Sequence, residues 1–221
     1  MKATIERATL LKSLGHVQSV VERRNTIPIL SNVLIEASEN GAIRLTATDL
    51  DLQIVETIAG DVEIPGATTV SAHTLFEIAR KMPDGSQVQL NAADGRMAVN
   101  AGRARFSLST LPRDDFPMIA EGELPTSFEL PAPSLIQIID KTRFAISTEE
   151  TRYYLNGIFL HVTDDGDPML KAAATDGHRL ALAQANLEVD MPKQEVILPR
   201  KTVLELQRLL KDDAKGGSND E

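Results

Sequence analysis

The feature that most constrains this chain is that it repeats itself. Thr9-Leu10-Leu11-Lys12-Ser13-Leu14 resembles Ser134-Leu135-Ile136-Gln137-Ile138-Ile139 at an offset of 125. The same offset pairs Val21 with Ile146, Leu30 with Leu155, and Val33-Leu34-Ile35 with Ile158-Phe159-Leu160. It becomes 127 where Ala47-Thr48-Asp49 meets Ala174-Thr175-Asp176, and 128 where Leu75-Phe76-Glu77 meets Val203-Leu204-Glu205. The drift falls in turn-like stretches such as Glu39-Asn40-Gly41 against Asp164-Asp165-Gly166, where insertions cost little. Several matches in one order define a duplication, so the chain is expected to fold as two copies of one unit, over 1–122 and 123–221.

Each unit reads as α+β. An amphipathic helix comes first, at about Thr9 to Val21 and Ser134 to Ala145. Two strands around a Gly-containing turn follow, then another strand, then a second helix at about Ala72 to Met82 and Lys201 to Leu210. The first unit adds a meander: Gln87 to Asn91, Met97 to Asn100 and Ala104 to Ser109, with Asp94-Gly95 as a strong hairpin signal. At the matching place in the second unit stands the polar run Lys211–Glu221. The second unit is therefore expected to be incomplete.

Outward helix positions carry charge. In the first helix Leu10, Leu14, Val17 and Val21 share one side at helical spacing, with Lys12, His16, Ser19 and Arg23 opposite and Arg24 beside them. In the second helix Leu75, Ala79 and Met82 face inward and His73, Glu77 and Arg80 outward; the duplicate places Lys201, Glu205 and Arg208 at those outward positions. Charged stripes are usually just solvated. These recur in both copies of a chain whose net charge is −9. An acidic protein repels nucleic acid on average, so phosphate contact must be confined to a local, mildly basic face. Four helices on one face of a sheet are expected to supply it.

Other chemistry is sparse. There are no cysteines, which removes disulfides, thiolate metal sites and cysteine nucleophiles. Phosphate-binding loops, a dinucleotide fingerprint, paired-His zinc spacing and a nucleophile elbow are all missing from the sequence, and no cofactor is expected. Asp49 and Asp51, expected on one face of a strand, could with Asp176 hold metal for a nuclease, although polar residues also suit the wet face of any antiparallel strand. Thr175-Asp176-Gly177-His178-Arg179-Leu180 replaces the plainer Thr48-Asp49-Leu50-Asp51-Leu52-Gln53 of the first copy, which suggests a specialised surface. No apolar run approaches the roughly 18 residues of a membrane span. The N-terminus lacks a signal-peptide pattern, so a cytoplasmic protein is expected.

Several segments together resemble the bacterial DNA sliding clamps, the β subunits of the replicative DNA polymerase III. They are Thr26-Ile27-Pro28-Ile29-Leu30-Ser31-Asn32, Gly66-Ala67-Thr68-Thr69-Val70, Arg103–Pro112, Asp115-Phe116-Pro117, Arg152–Gly157, Ala174–Leu180 and Pro199-Arg200-Lys201. They run in family order along nearly the whole chain. The resemblance implies three repeats per chain, of which this one carries the first and most of the second. It further implies a homodimeric, non-catalytic ring with helices lining the hole. Arg24, Tyr153 and Tyr154 match positions that touch double-stranded DNA, and His73 a place where a basic residue often sits; Lys12, Arg80 and Lys201 join them on the outward helix faces. Leu155, Thr175, Gly177, His178, Arg179 and Leu180 match half of the pocket in which polymerases, the clamp loader and repair proteins dock linear peptide motifs. Arg96, Arg103, Arg105, Phe106 and Leu108 match the first repeat's side of the ring interface, an edge strand awaiting a partner.

Overall fold

The first strand, β1 (Lys2–Glu6), ends on the residue that starts the first helix. The Glu6 carboxylate accepts the backbone N–H of Thr9 at 2.8 Å. Hydrogen bonds from the Ala8 and Thr9 amides hold its carboxyl below the usual range. Helix α1 therefore runs from Arg7 to Val17, two residues ahead of the start expected from periodicity and four short of the expected end. Val20 and Val21 lie beyond its end yet remain buried, which is why the apolar spacing reads on past the last turn.

The computed structural model describes residues 1–22, 26–119, 127–149, 151–163, 169–186 and 194–216, with side chains of the last helix to Asp212. The chain divides into two units, Met1–Glu121 and Gly122–Glu221.

In the first unit α1 is followed by β2 (Asn32–Ala37), β3 (Ala42–Thr48), β4 (Gln53–Ala59), β5 (Asp61–Ile64), β6 (Gly66–Ser71), α2 (Ala72–Lys81), β7 (Gln87–Ala93), β8 (Arg96–Ala101) and β9 (Ala104–Leu111). Among the described residues these strands form one antiparallel sheet in the order β4-β3-β2-β6-β9-β8-β7-β1-β5. Asp94 and Gly95 take φ of 51° and 71°, the paired positive values that close a tight hairpin with the right twist. Helix α1 packs on β3, β4 and β1, and α2 on β2, β6 and α1. Leu10, Leu14, Leu75, Ile35, Leu45 and Leu90 form the fully buried layer between helices and sheet. Each such side chain stabilises the fold by about 1.5–3 kcal/mol.

The second unit contains α3 (Ala132–Thr142), β10 (Gly157–Thr163), β11 (Met169–Thr175), β12 (Leu180–Asn186), β13 (Glu195–Pro199) and α4 (Arg200–Gly216). Its strand order, β12-β11-β10-β13, repeats β4-β3-β2-β6. The register repeats as well. Leu34 pairs with Thr46 and Thr69, and Thr46 with Val55; Phe159 pairs with Ala173 and Ile197, and Ala173 with Leu182. These are the partners that offsets of 125, 127 and 128 give. Ile138, Ile139, Ile158, Leu170 and Val203 form this unit's own core.

Two local expectations fail. His16 does not face outward: it is buried, with Nδ1 2.7 Å from Glu56 Oε1 on β4, because α1 is covered on two sides by β3 and β4 and by α2. Asp49 and Asp51 do not share a strand. Strand β3 stops at Thr48, and both aspartates lie in the turn before β4.

Candidate functional site

The outward helix residues carry less free charge than their sequence suggests. Arg80 Nη2 donates to Glu77 Oε2 at 2.7 Å, and Arg208 Nη2 lies 3.0 Å from Glu205 Oε2. The duplication has thus kept an i,i+3 ion pair, not merely a cation. Lys12 is exposed on α1, and Lys201 is half-buried as the second residue of α4. His73 is half-buried, its Nε2 3.3 Å from the Val21 carbonyl. Arg24 lies outside the described residues. Tyr153 and Tyr154 stand on a 3₁₀ turn (Tyr153–Leu155), 80% and 56% exposed, with rings edge to face at 5.8 Å. Large aromatics this exposed are unusual unless something stacks or packs on them.

The Thr175–Leu180 segment is a tight turn, and the first copy contains the same one. Thr175 Oγ1 accepts the Gly177 amide at 3.1 Å, and Asp176 Oδ1 accepts the amides of His178 and Arg179 at 3.0 and 3.1 Å. Correspondingly, Thr48 Oγ1 accepts the Leu50 amide at 3.0 Å, and Asp49 Oδ1 those of Asp51 and Leu52 at 3.0 and 2.7 Å. The third residue is left-handed in both: Gly177 at φ 89° and Leu50 at φ 84°. Glycine adopts this conformation freely, whereas leucine is strained in it. The two segments differ in side chains on a shared backbone. Bonding first to the His178 amide, then to Arg179, keeps the Asp176 carboxyl below its ordinary range. Gly177, His178, Arg179 and Leu180 are exposed, while Leu155 and Thr175 are partly buried. The Arg179 guanidinium lies 5.5 Å from the centre of the Phe144 ring, a cation–π contact that periodicity could not have found.

The same bonds bear on the nuclease alternative. Asp49 and Asp176 spend an oxygen each on turn amides, and no group of three metal-binding side chains occurs among the described residues.

Strand β9 pairs with β8 along its length but with β6 only at Thr110 and Leu111. Phe106 is 41% exposed; Arg103 and Arg105 are exposed and Leu108 partly so. Arg96 lies one strand inward, donating from Nε to Ser107 Oγ at 2.8 Å across β8 and β9.

Two helices side by side on an antiparallel sheet, repeated register for register, define a clamp-type module. Residues 1–120 match the DNA polymerase III beta subunit, N-terminal domain, and residues 129–216 its central domain. The chain belongs to the DNA polymerase III beta subunit family, and its fold is the DNA clamp fold. It is 53% identical over 220 residues to the beta sliding clamp of Caulobacter vibrioides, covering 95% of this chain and 57% of that protein. Against the beta sliding clamp of Escherichia coli K12 the identity is 40%, covering 99% and 58%. A crystal structure of the Caulobacter crescentus clamp superposes with a TM-score of 0.90 at 52% identity, over 96% of this chain and 57% of the other. The Bartonella birtlesii clamp bound to griselimycin gives 0.91 at 48% identity, over 96% and 57%. The chain thus spans a little over half the length of these relatives. No helix among the described residues is long and apolar enough to cross a membrane.

Proposed function

We propose that this chain supplies two modules of a ring that encircles duplex DNA without reading its sequence. The ring serves as the non-catalytic processivity factor of a replicative polymerase in the cytoplasm. The observation that carries the proposal is the repeated helix pair with an i,i+3 ion pair present in both units, in a family member of net charge −9. A ring holds DNA by topology, so its inner contacts need only be weak. Lys12, Arg24, His73, Arg80 and Lys201, with Tyr153 and Tyr154, form that weak lining. The two ring halves meet at the open edge of β9 through Arg103, Arg105, Phe106 and Leu108, with Arg96 bracing Ser107 behind them. Replicative and repair polymerases and the clamp loader dock peptide motifs at Leu155 and the Thr175–Leu180 turn.

The test is topological. The full-length ring, loaded on nicked circular DNA, is expected to survive a salt wash and to leave once the circle is cut. Equal loss from circular and linear DNA overturns the proposal.

A further inference from the structure

In the first unit an aromatic ring closes the groove between the two helices. Phe76 on α2 lies over Gly15 on α1, its Cε2 3.7 Å from the point where a Gly15 side chain would begin. The register carries these two positions to Leu204 on α4 and Asp140 on α3. There a cleft of about 360 Å³ opens beside both residues. Two side-chain exchanges within the helix pair account for the opening.

The walls have changed charge as well. Gln18, Leu52 and Ala72 of the first unit correspond to Arg143, Arg179 and Arg200, and all three arginines line the cleft and are exposed. Arg143 Nε lies 3.8 Å from Asp140 Oδ1, outside hydrogen-bond distance. Arg179 gives its Nε to Asp176 at 2.8 Å. Asp140, the carboxylate of the lining, is held by Lys211 Nζ at 3.0 Å and by the Gln207 amide. Guanidinium groups clasp phosphate through paired N–H donors in a fixed fork. Phe144, at the place of Ser19, adds a ring that is 56% exposed, with Arg179 5.5 Å from its centre. An aromatic face beside a cationic seat can stack a base while its phosphates are held.

We propose that this cleft binds a nucleoside polyphosphate. The phosphates lie against Arg143, Arg179 and Arg200, and the base lies on Phe144. Three guanidinium groups in one recess exceed what a singly charged backbone diester needs, and they match the greater charge of a phosphate chain. The volume falls at the lower end of the range that small ligands occupy. The proposal stands apart from the ring reading, since a ring can slide on DNA whether or not the cleft takes a nucleotide. With the proposed partner turn it shares only Arg179.

The probe is ATP, titrated onto the chain by calorimetry in EDTA so that no metal contributes, with tripolyphosphate and adenosine as its two halves. Saturable binding is expected for ATP, weaker binding for tripolyphosphate and none for adenosine. Arg143→Gln and Arg200→Ala, which restore the first unit's residues and spare Arg179, should each weaken ATP about tenfold. Phe144→Ala should weaken ATP and leave tripolyphosphate as it was. Leu204→Phe with Asp140→Gly rebuilds the first unit's closure and should abolish binding, with circular dichroism melting to show that each variant folds. Absent ATP binding, or binding indifferent to both Arg143→Gln and Arg200→Ala, overturns the inference. Displacement of ATP by duplex DNA without terminal phosphates, as readily as by tripolyphosphate, also overturns it; the arginines then belong to a DNA-facing wall and the ring reading stands.

Discussion

Leu50 and Gly177 occupy one backbone conformation and so form an internal experiment. A left-handed leucine costs about 1–2 kcal/mol relative to a residue at ease there. Leu50 is half exposed, so little burial is lost on truncation. Leu50→Gly is expected to stabilise the first unit by about 1 kcal/mol, raising its Tm by about 2–4 °C in calorimetry. The reciprocal Gly177→Ala should destabilise the second by a similar amount. Asp176 adds a pH signature. Its carboxyl is held low in the folded turn by the His178 and Arg179 amides, so its stabilising effect is present above the ordinary carboxylate range. That effect is lost as pH falls through the depressed folded value. Amide exchange at Gly177, His178 and Arg179 should stay slow at mildly acidic pH and quicken only below the range where free aspartate protonates. Quickening already near neutrality would contradict the assignment.

At the scale of elements, what the sequence makes legible is what is local. Helix periodicity, the Asp94-Gly95 hairpin and the paired strands β2–β3 and β10–β11 all arise between residues close in the chain. Strand β1 escapes because, although its five residues alternate polar and apolar, so short a run is ambiguous alone, and its partner β7 lies far along the chain, with Thr4 opposite Gln89. His16 was misplaced because helical spacing says which residues share a side, not how many sides are covered. Arg7 shows the same limit. Its Nε and Nη2 donate to the carbonyls of Ala79 and Arg80 at 3.0 and 2.9 Å, and Nη1 to Asp84 Oδ1 at 2.6 Å. The first residue of α1 thus caps the end of α2, although nothing near Arg7 in the sequence points there. Charged donors satisfying otherwise orphaned helix carbonyls are worth about 1.5–3 kcal/mol. Arg7→Ala should lower first-unit stability by about that much in urea unfolding, and Asp84→Ala by far less, because that carboxylate is almost fully exposed. Of the candidate site, the turn was legible as an oddity between duplicates; its shared hydrogen bonding was not, since side-chain-to-amide bonds leave no periodic trace.

For the whole molecule, if it forms the proposed ring, the question is how firmly an acidic wall should hold a polyanion. Each phosphate neutralised steepens the salt dependence of binding by about 0.9 in log–log slope. In the proposed ring Arg80 and Arg208 would face phosphate, yet each is already engaged by Glu77 or Glu205 one turn away. A phosphate must compete with that carboxylate, so the two arginines deliver less than two full contacts. This attenuation would suit the proposed sliding ring: a fully cationic wall would raise affinity and friction together. Removing the carboxylate charge tests the idea without touching a cation. Glu77→Gln with Glu205→Gln in the full-length ring is expected to steepen the salt slope by about 1–2. It should also slow diffusion along DNA in single-molecule tracking, with ring closure unchanged. Arg208 keeps Asp212 at 3.9 Å, so the larger share of the change should come from the first unit. If slope and diffusion both stay as they were, the paired carboxylates are ordinary surface salt bridges and the moderated grip must come from elsewhere in the wall.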